Sequence, residues 1–127
     1  MSKSIVVLGA SQDRRKFSNK CVRAYLAAGW DVIPVHPTAP EVEGQTVVPK
    51  LADLPGPYYD RLSVYLPPAV GAKVLAEPDG KRFGECWLNP GAESAEVVAA
   101  ATPGSDKVVE ACSIVDIGYS PSQFPES

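Results

Sequence analysis

A glycine turn followed by a cluster of basic side chains is the part of this sequence best suited to binding chemistry. An apolar run at residues 5–8 leads into Gly9, Ala10 and Ser11, and the pattern that follows predicts a helix opening at Ser18. Backbone N–H groups at a helix N-terminus lack intrahelical partners and lie at the positive end of the helix dipole. The order of strand, glycine turn and helix start therefore predicts a site for an anion such as a phosphate.

The charges that follow this turn favour the same interpretation. Residues 13–20 contain four cations and one carboxylate, in a chain whose formal net charge is −3. The cations are Arg14, Arg15, Lys16 and Lys20, and the carboxylate is Asp13. We expect at least one of Arg14, Arg15 and Lys16 to contact a phosphate, although a solvated helix entry would explain the same charges. Ser18 suits a helix cap, and a cap hydroxyl can also face a phosphate.

The elements that position these residues alternate between strand and helix patterns. Such alternation predicts an α/β domain with a mostly parallel sheet of five strands. The strands are expected at about 5–8, 31–35, 62–66, 85–88 and 107–111, and three helices are expected to begin near residues 18, 67 and 93.

The connection after the second strand is rich in proline. Residues 37–57 leave little room for a full crossover helix, so we expect only a short extended piece at 46–48 and one turn at 51–54. The helix after the third strand is expected to end at Pro78 and to bury an apolar face made of Val70, Val74 and Leu75.

Length and composition narrow the class of protein. The 127 residues suit one domain, which we place at residues 1–117, followed by an irregular tail at 118–127. The acidic balance argues against a nucleic-acid binder, and no apolar run approaches the roughly 20 residues of a membrane span. Three cysteines without a C-x-x-C pair, and a single histidine, argue against a zinc site. The cysteine usage predicts reduced thiols in the cytoplasm.

Several candidate binding residues follow directly after predicted strands. In an open parallel sheet, ligands bind outside the carboxyl ends of the strands, where the strand order reverses. The residues expected at that edge are Gly9 to Ser11, His36-Pro37, Leu66 to Pro68, Asn89 to Gly91, and Cys112. Small residues, prolines and one amide suit a shallow pocket for a flat, phosphate-bearing ligand.

A nicotinamide dinucleotide is a poor match for these residues. The dinucleotide turn requires three glycines in G-x-G-x-x-G and an acidic residue at the end of the second strand. Only Gly9 is present, and the second strand ends in Val35-His36-Pro37 without a carboxylate. The basic loop instead favours a ligand with more phosphate than NAD carries.

The same residues carry a resemblance to a known family. The chain resembles the small coenzyme A-binding proteins of Rossmann-like, three-layer fold, which are related to the N-terminal domain of the succinyl-coenzyme A synthetase α subunit. The resemblance covers about residues 4–115. It rests on Val-Val-Leu-Gly-Ala-Ser at 6–11, the segment 29–37, Gly44 with Leu51 and Pro55, Tyr-Leu-Pro-Pro at 65–68, and Cys-Trp-Leu-Asn-Pro-Gly at 86–91.

This resemblance implies a role for each matching residue in binding coenzyme A or an acyl derivative. Gly9, Ser11, Lys16 and Ser18 would hold phosphates, Val35 and Pro37 would flank the adenosine, and Leu66, Pro67 and Asn89 would line the pantetheine path. Ala10, Arg15, His36, Gly91 and Cys112 complete the predicted set.

The chain departs from the family pattern in three motifs. Many small members have Asn-Pro where this chain has His36-Pro37, and they often place an arginine where it has Pro67. The family's C-terminal Cys-x-x-x-Glu-His is half present, since Cys112 is followed by Asp116 and Ile117. Any role that depends on the Glu-His pair therefore does not transfer to this chain.

Catalysis is not expected. The synthetase uses a phosphorylated histidine in a second domain that this chain lacks, and Gly9-Ala10-Ser11 is not the G-x-S-x-G of a hydrolase. We therefore expect non-enzymatic binding of coenzyme A. The alternatives are an interaction or sensor module with an incidental nucleotide site and, less favoured, a small enzyme acting on acyl thioesters. A mixed disulfide between Cys112 and the pantetheine thiol is a further hypothesis.

Overall fold

The computed structural model describes residues 3–77 and 79–127, and its centre is a parallel sheet. The strands, in chain order and including a small hairpin (β3 and β4), are β1 Ser4–Leu8, β2 Asp31–Val35, β3 Glu41–Val42, β4 Gln45–Thr46, β5 Tyr58–Val64, β6 Arg82–Leu88 and β7 Ser105–Val109. The α-helices are α1 Phe17–Ala27, α2 Pro68–Ala76, α3 Ala95–Ala101 and α4 Ser113–Asp116.

The sheet has the strand order β2-β1-β5-β6-β7, and every neighbouring pair is parallel. Helices cover both faces, so the predicted three-layer, Rossmann-like α/β fold is confirmed. The order reverses between β1 and β5, which places the ligand crevice of such a sheet beside the carboxyl ends of these two strands.

Side chains alternate between the two faces along each strand, as the strand period of two requires. In β1, Val6 and Leu8 pack in the core under α2 and α3, whereas Ile5 and Val7 pack against α1 and α4. We call the side of the sheet that contacts α2 and α3 the α2 face, and the side that contacts α1 and α4 the α1 face.

The predicted strands exist, but their bounds differ where polar residues lie in the ladder. β5 begins at Tyr58 and β6 at Arg82, and these two residues pair across the strands. The apolar runs from which the strands were predicted cover only the buried second half of each strand.

The proline-rich connection contains no α-helix, as expected. It forms the β3–β4 hairpin, a bridge from Val48 to Val35, and one turn of 3₁₀-helix at Leu51–Asp53. The prediction for α2 was partly wrong, because Val70 is 46% exposed rather than buried. Pro78, predicted to end this helix, lies outside the described residues.

The residues after Gly118 fold back against α1. They include a 3₁₀ turn at Pro121–Gln123, and the ring of Phe124 packs beside the guanidinium of Arg23. Glu126 pairs with Lys20 at 2.9 Å. The composition of this segment predicted an irregular tail. It could not indicate these contacts, because they are made with α1, which is distant in sequence.

Among the described residues, none of the helices combines the length and apolar character needed to cross a membrane.

Candidate functional site

The turn after β1 holds three strands together. Gly9 has a φ of +85°, and a Cβ at this position would lie 2.7 Å from the carbonyl oxygen of Tyr65 and 2.9 Å from Cδ2 of Leu66. Only glycine therefore allows the loop after β5 to approach so closely. The N–H groups of Gly9 and Ala10 both donate to the carbonyl oxygen of Val35 at 3.2 Å. Because both N–H groups already donate to the last residue of β2, they are not free to bind a phosphate, as the glycine turn in the sequence had suggested they would be.

The next residues form a hydrogen-bonded loop. The N–H of Asp13 donates to Oγ of Ser11 at 3.0 Å, and the guanidinium of Arg15 donates to both carboxylate oxygens of Asp13. These hydrogen bonds lower the pKa of Asp13 to about 2. Ser11 and Arg15 are thus engaged within the loop itself.

Lys16 is the cation of the predicted cluster that the structure leaves without a carboxylate partner. Arg14 lies 3.7 Å from Glu43, Arg15 is paired with Asp13, and Lys20 is paired with Glu126. Within the described part of the chain, no carboxylate lies within 4 Å of the Lys16 ammonium. The local excess of positive charge is therefore concentrated on Lys16.

Helix α1 begins one residue earlier than predicted. Its cap is Lys16, which makes no side-chain hydrogen bond to the first turn, and Ser18 is a buried residue inside that turn. The prediction that Ser18 is the cap was wrong, because the loop closes at Lys16 through its N–H bond to the carbonyl of Asp13. By helix geometry, the N–H groups of the first turn have no intrahelical acceptor, and Lys16 immediately precedes them in the chain.

Two cavities lie at the carboxyl edge of the sheet. The first, which we call the switch-point cavity, has a volume of about 350 Å³ and lies where the strand order reverses. Its lining includes Gly9, Val35, Pro37, Leu51 and Leu66, together with Val70 and Val74 of α2. It is mainly apolar, as suits a base or another flat ring.

The second cavity, which we call the proline cavity, has a volume of about 420 Å³ and adjoins the first through Leu66. Lys16 lies on its lining with Tyr65, Pro67, Pro90 and Gly91. The two cavities therefore lie side by side, and we refer to them together with the start of α1 as the path. A larger hollow of about 480 Å³ extends toward the amino edge of the sheet beside Phe83 and Ser105. It shares Leu51, Glu77 and Asp79 with the switch-point cavity, and none of the predicted site residues lines it.

His36 orders the loop that borders the switch-point cavity. Its Nδ1 accepts hydrogen bonds from the N–H groups of Thr38 at 3.1 Å and Ala39 at 2.9 Å. An asparagine side chain makes the same kind of bonds to the backbone two and three residues ahead. His36 therefore holds the backbone of its own loop, as an asparagine at this position could also do.

Asn89 belongs to the interior rather than to the cavities. It is 1% exposed, its Nδ2 donates to Oγ of Ser63 and the carbonyl of Val64, and its Oδ1 accepts from the N–H and Oγ of Ser113. All four hydrogen-bonding positions of the amide are used. Asn89 thereby connects the ends of β5 and β6 to the start of α4.

The same interior cluster contains a thiol and a phenol. Cys21 lies 3.6 Å from Oγ of Ser63 and 3.7 Å from Oγ of Ser113, and burial raises the pKa of its thiol. Burial also raises the pKa of Tyr65, whose buried hydroxyl makes no hydrogen bond of standard geometry. Cys112 is partly buried at the start of α4. It lines neither cavity at the carboxyl edge.

A second polar cluster lies on the α1 face around Arg61. The guanidinium bonds Glu85 and Asp116 at 2.9 and 2.8 Å and donates to the hydroxyl of Tyr25 at 2.9 Å. It also lies between two tryptophan rings, Trp30 and Trp87, at 5.1 and 4.9 Å from their centroids. This cluster joins β5, β6, α1 and α4.

The structure brings half of the predicted site residues to the path. Those that line a cavity are Gly9, Lys16, Val35, Pro37, Leu66, Pro67 and Gly91. Those that do not are Ala10, Ser11, Arg15, Ser18, His36, Asn89 and Cys112. The lining residues missed as site residues include Lys50, Val70 and Val74. The two valines were assigned to the core, although their place on the helix that follows the crevice edge was a usable signal.

The fold and this edge define the class of the protein. A parallel sheet whose order reverses beside a glycine turn, with an apolar cavity and an uncapped helix start at the reversal, is typical of nucleotide-binding α/β proteins. The family is shown by sequence: the chain belongs to the CoA binding domain family, whose model matches residues 3–118.

Solved structures agree with this assignment. A conserved hypothetical protein from Pyrococcus furiosus is 30% identical with a TM-score of 0.78, covering 91% of this chain and 99% of that one. A Thermus thermophilus protein is 33% identical with a TM-score of 0.77, covering 91% and 88%.

A larger enzyme contains a similar unit. An acetyl-coenzyme A synthetase from Ca. Korarchaeum cryptofilum, described as dinucleotide-forming and in complex with phosphate and ADP, is 26% identical with a TM-score of 0.71. The match covers 86% of this chain and 25% of the synthetase. Comparison with curated proteins finds no match for this chain.

Proposed function

We propose that this protein binds coenzyme A or an acyl derivative non-covalently at the carboxyl edge of the sheet and does not act on it chemically. The observation that carries the proposal is the pair of adjoining cavities that share Leu66, with Lys16 at the start of α1 on the lining of the second. Coenzyme A has the matching order of parts: a flat base, a pyrophosphate and a long, mostly apolar arm.

Each part of the ligand has a partner of suitable chemistry along this path. The adenosine would occupy the switch-point cavity, between Val35 and Pro37 on one side and Leu66 on the other. The pyrophosphate would lie against the first-turn N–H groups of α1 and the Lys16 ammonium, where both the helix dipole and the charge favour it. The pantetheine arm would follow the proline cavity past Pro67 and Gly91.

The side chains that could do chemistry are occupied elsewhere, which supports binding without catalysis. Oγ of Ser11 accepts a hydrogen bond from the N–H of Asp13, and Nδ1 of His36 faces the backbone of its own loop. A nucleophile requires a base within hydrogen-bonding reach, and neither residue supplies one to the other in the described structure. A cytoplasmic location stays a prediction from cysteine usage.

The first experiment is a calorimetric titration with coenzyme A, with NAD as the comparison ligand. We expect coenzyme A to bind more tightly than NAD, and Lys16→Glu to weaken coenzyme A binding by at least tenfold through charge reversal at the pyrophosphate. Lys107→Glu, on the outer strand β7 away from both cavities, is the matched control and is expected to bind as the wild type does.

Other outcomes would separate the alternatives. Equal affinity of the two lysine variants would mean that Lys16 is not the phosphate ligand. Absence of heat with either nucleotide would favour an interaction module instead. Native mass spectrometry of the freshly purified protein, with and without reductant, tests Cys112: a coenzyme A mass lost only on reduction would require a disulfide.

A further inference from the structure

We propose that Lys50 binds the 3′-phosphate of coenzyme A and thereby makes the site selective for coenzyme A over its 3′-dephospho form. This inference rests on the proposed function and extends it to a residue that the sequence did not single out. Lys50 caps the 3₁₀ turn at Leu51–Asp53, and its exposed side chain lies on the lining of the switch-point cavity.

Positive and negative side chains lie on opposite sides of this cavity. Its lining contains one cation, Lys50, and two carboxylates, Glu77 and Asp79. The lysine lies on the side of β2 and the 3₁₀ turn, whereas both carboxylates lie beyond the end of α2. Because a phosphate dianion is attracted to the first side and repelled from the second, these charges orient an adenosine phosphate in one direction.

The order of groups in coenzyme A brings its 3′-phosphate, which is attached to the ribose, toward Lys50. With the 5′-pyrophosphate at the start of α1 beside Gly9, the base fills the apolar part of the cavity and the ribose stays near its mouth. The 3′-phosphate then projects away from α1, and it must face either the Lys50 side or the carboxylate side. The charges select Lys50.

The cations at the α1 end of the path are not available for this role. Arg14 faces Glu43 and Arg15 is paired with Asp13, while Lys16 lies on the proline cavity at the pyrophosphate end. Within the described residues, Lys50 has no carboxylate within 4 Å of its ammonium, so it loses no existing ion pair on meeting a phosphate.

The test compares coenzyme A with 3′-dephospho-coenzyme A by calorimetric titration of the wild type, Lys50→Ala, Lys50→Arg and Lys107→Ala. We expect the wild type to prefer coenzyme A by about fivefold, as for a partly exposed charge pair. Lys50→Ala should remove this preference by weakening coenzyme A binding while leaving dephospho-coenzyme A binding unchanged. Lys50→Arg should keep the preference, and Lys107→Ala should behave as the wild type does.

The two ligands keep this inference separate from the proposed function. Unchanged binding of dephospho-coenzyme A shows that Lys50→Ala is folded with an intact cavity. If both ligands bind the wild type equally, or if Lys50→Ala keeps the preference, the role of Lys50 is overturned and coenzyme A binding stands. If Lys107→Ala loses the preference for coenzyme A to the same extent, the role of Lys50 is overturned as well, because the change in net charge alone would explain the result. If neither ligand binds the wild type, both proposals fall together.

Discussion

The two faces of the sheet are built on different physical principles. On the α1 face, Asn89 and Arg61 sit at the centres of two hydrogen-bonded clusters that join strands to α1 and α4. On the α2 face the core is almost wholly apolar, and the switch-point cavity opens between that core and α2. Directional bonds fix the ends of the strands from one side, while non-directional packing leaves room for a ligand on the other.

The difference explains why only part of the predicted set reaches the cavities. Asn89 and Cys112 follow strands at the correct edge, yet their side chains are directed into or beside the interior of the α1 face. Burying an amide without hydrogen-bond partners costs free energy of folding, whereas an apolar side chain that faces a cavity leaves no hydrogen bond unmade. Polar residues therefore concentrate where they are satisfied, and apolar residues line the crevice.

The largest expected effect comes from breaking the polar face at Asn89. Asn89→Ala removes four hydrogen bonds and leaves the N–H of Ser113 and the carbonyl of Val64 buried without this partner. We expect the free energy of unfolding to fall by about 3 kcal/mol. Urea denaturation followed by circular dichroism measures this change, and a loss below about 1 kcal/mol would show that the cluster is not an important source of stability.

The junction between the two faces at Gly9 is tested by a matched pair of glycine variants. Gly9 and Gly29 both have a φ of +85°, but an added Cβ at Gly29 has nothing within 4 Å. Gly29→Ala should cost about 1 kcal/mol from backbone conformation alone. Gly9→Ala should cost about 2 kcal/mol or more, because it also contacts Tyr65 and displaces Leu66, and it should weaken coenzyme A binding. Similar stability losses in the two variants would contradict the close-approach argument.

The stability at alkaline pH depends on one buried thiol on each face of the sheet. Burial raises the pKa of Cys86, on the α2 face, to about 12, and raises that of Cys21 on the α1 face. The folded state therefore holds these protons after the unfolded chain has lost them, so stability is full below about pH 9 and declines above it. Cys86 should contribute a loss of about 1 kcal/mol between pH 9 and 10, and Cys21 should contribute a decline in the same direction. Urea titrations at both values should show a smaller decline for Cys86→Ala, and an unchanged decline would exclude this thiol as a cause.

The smallest change in stability is expected on the cavity wall. Val70 is 46% exposed and lines the switch-point cavity, so Val70→Ala should change the free energy of unfolding by less than about 0.5 kcal/mol. Coenzyme A binding should weaken by about threefold through lost apolar contact. A variant that loses stability but binds normally would place Val70 in the core, as the helical spacing first suggested.

The fold was predictable because its signals are local and repeated. Apolar runs alternate with helical spacing, and the glycine turn after β1 marks the edge where ligands bind. The pattern left Arg14, Arg15 and Lys16 as alternatives at that edge, and the choice of Lys16 came from the family resemblance.

Other features depended on partners distant in sequence. That Gly9 and Ala10 donate to Val35, that Asp13 binds Arg15, and that Ser18 is buried inside α1 could not be seen in a linear pattern. Lys50 was missed for the same reason, since only the folded loop brings it to the cavity.

The bonds of the Gly9 turn also have a consequence for the kinetics of binding. Because β1, β2 and the loop after β5 already meet at this turn, no strand must move to form the crevice. Association with coenzyme A should therefore be a single, fast bimolecular step whose rate falls with added salt. Variants on the cavity walls should then differ from the wild type mainly in how long the ligand stays bound.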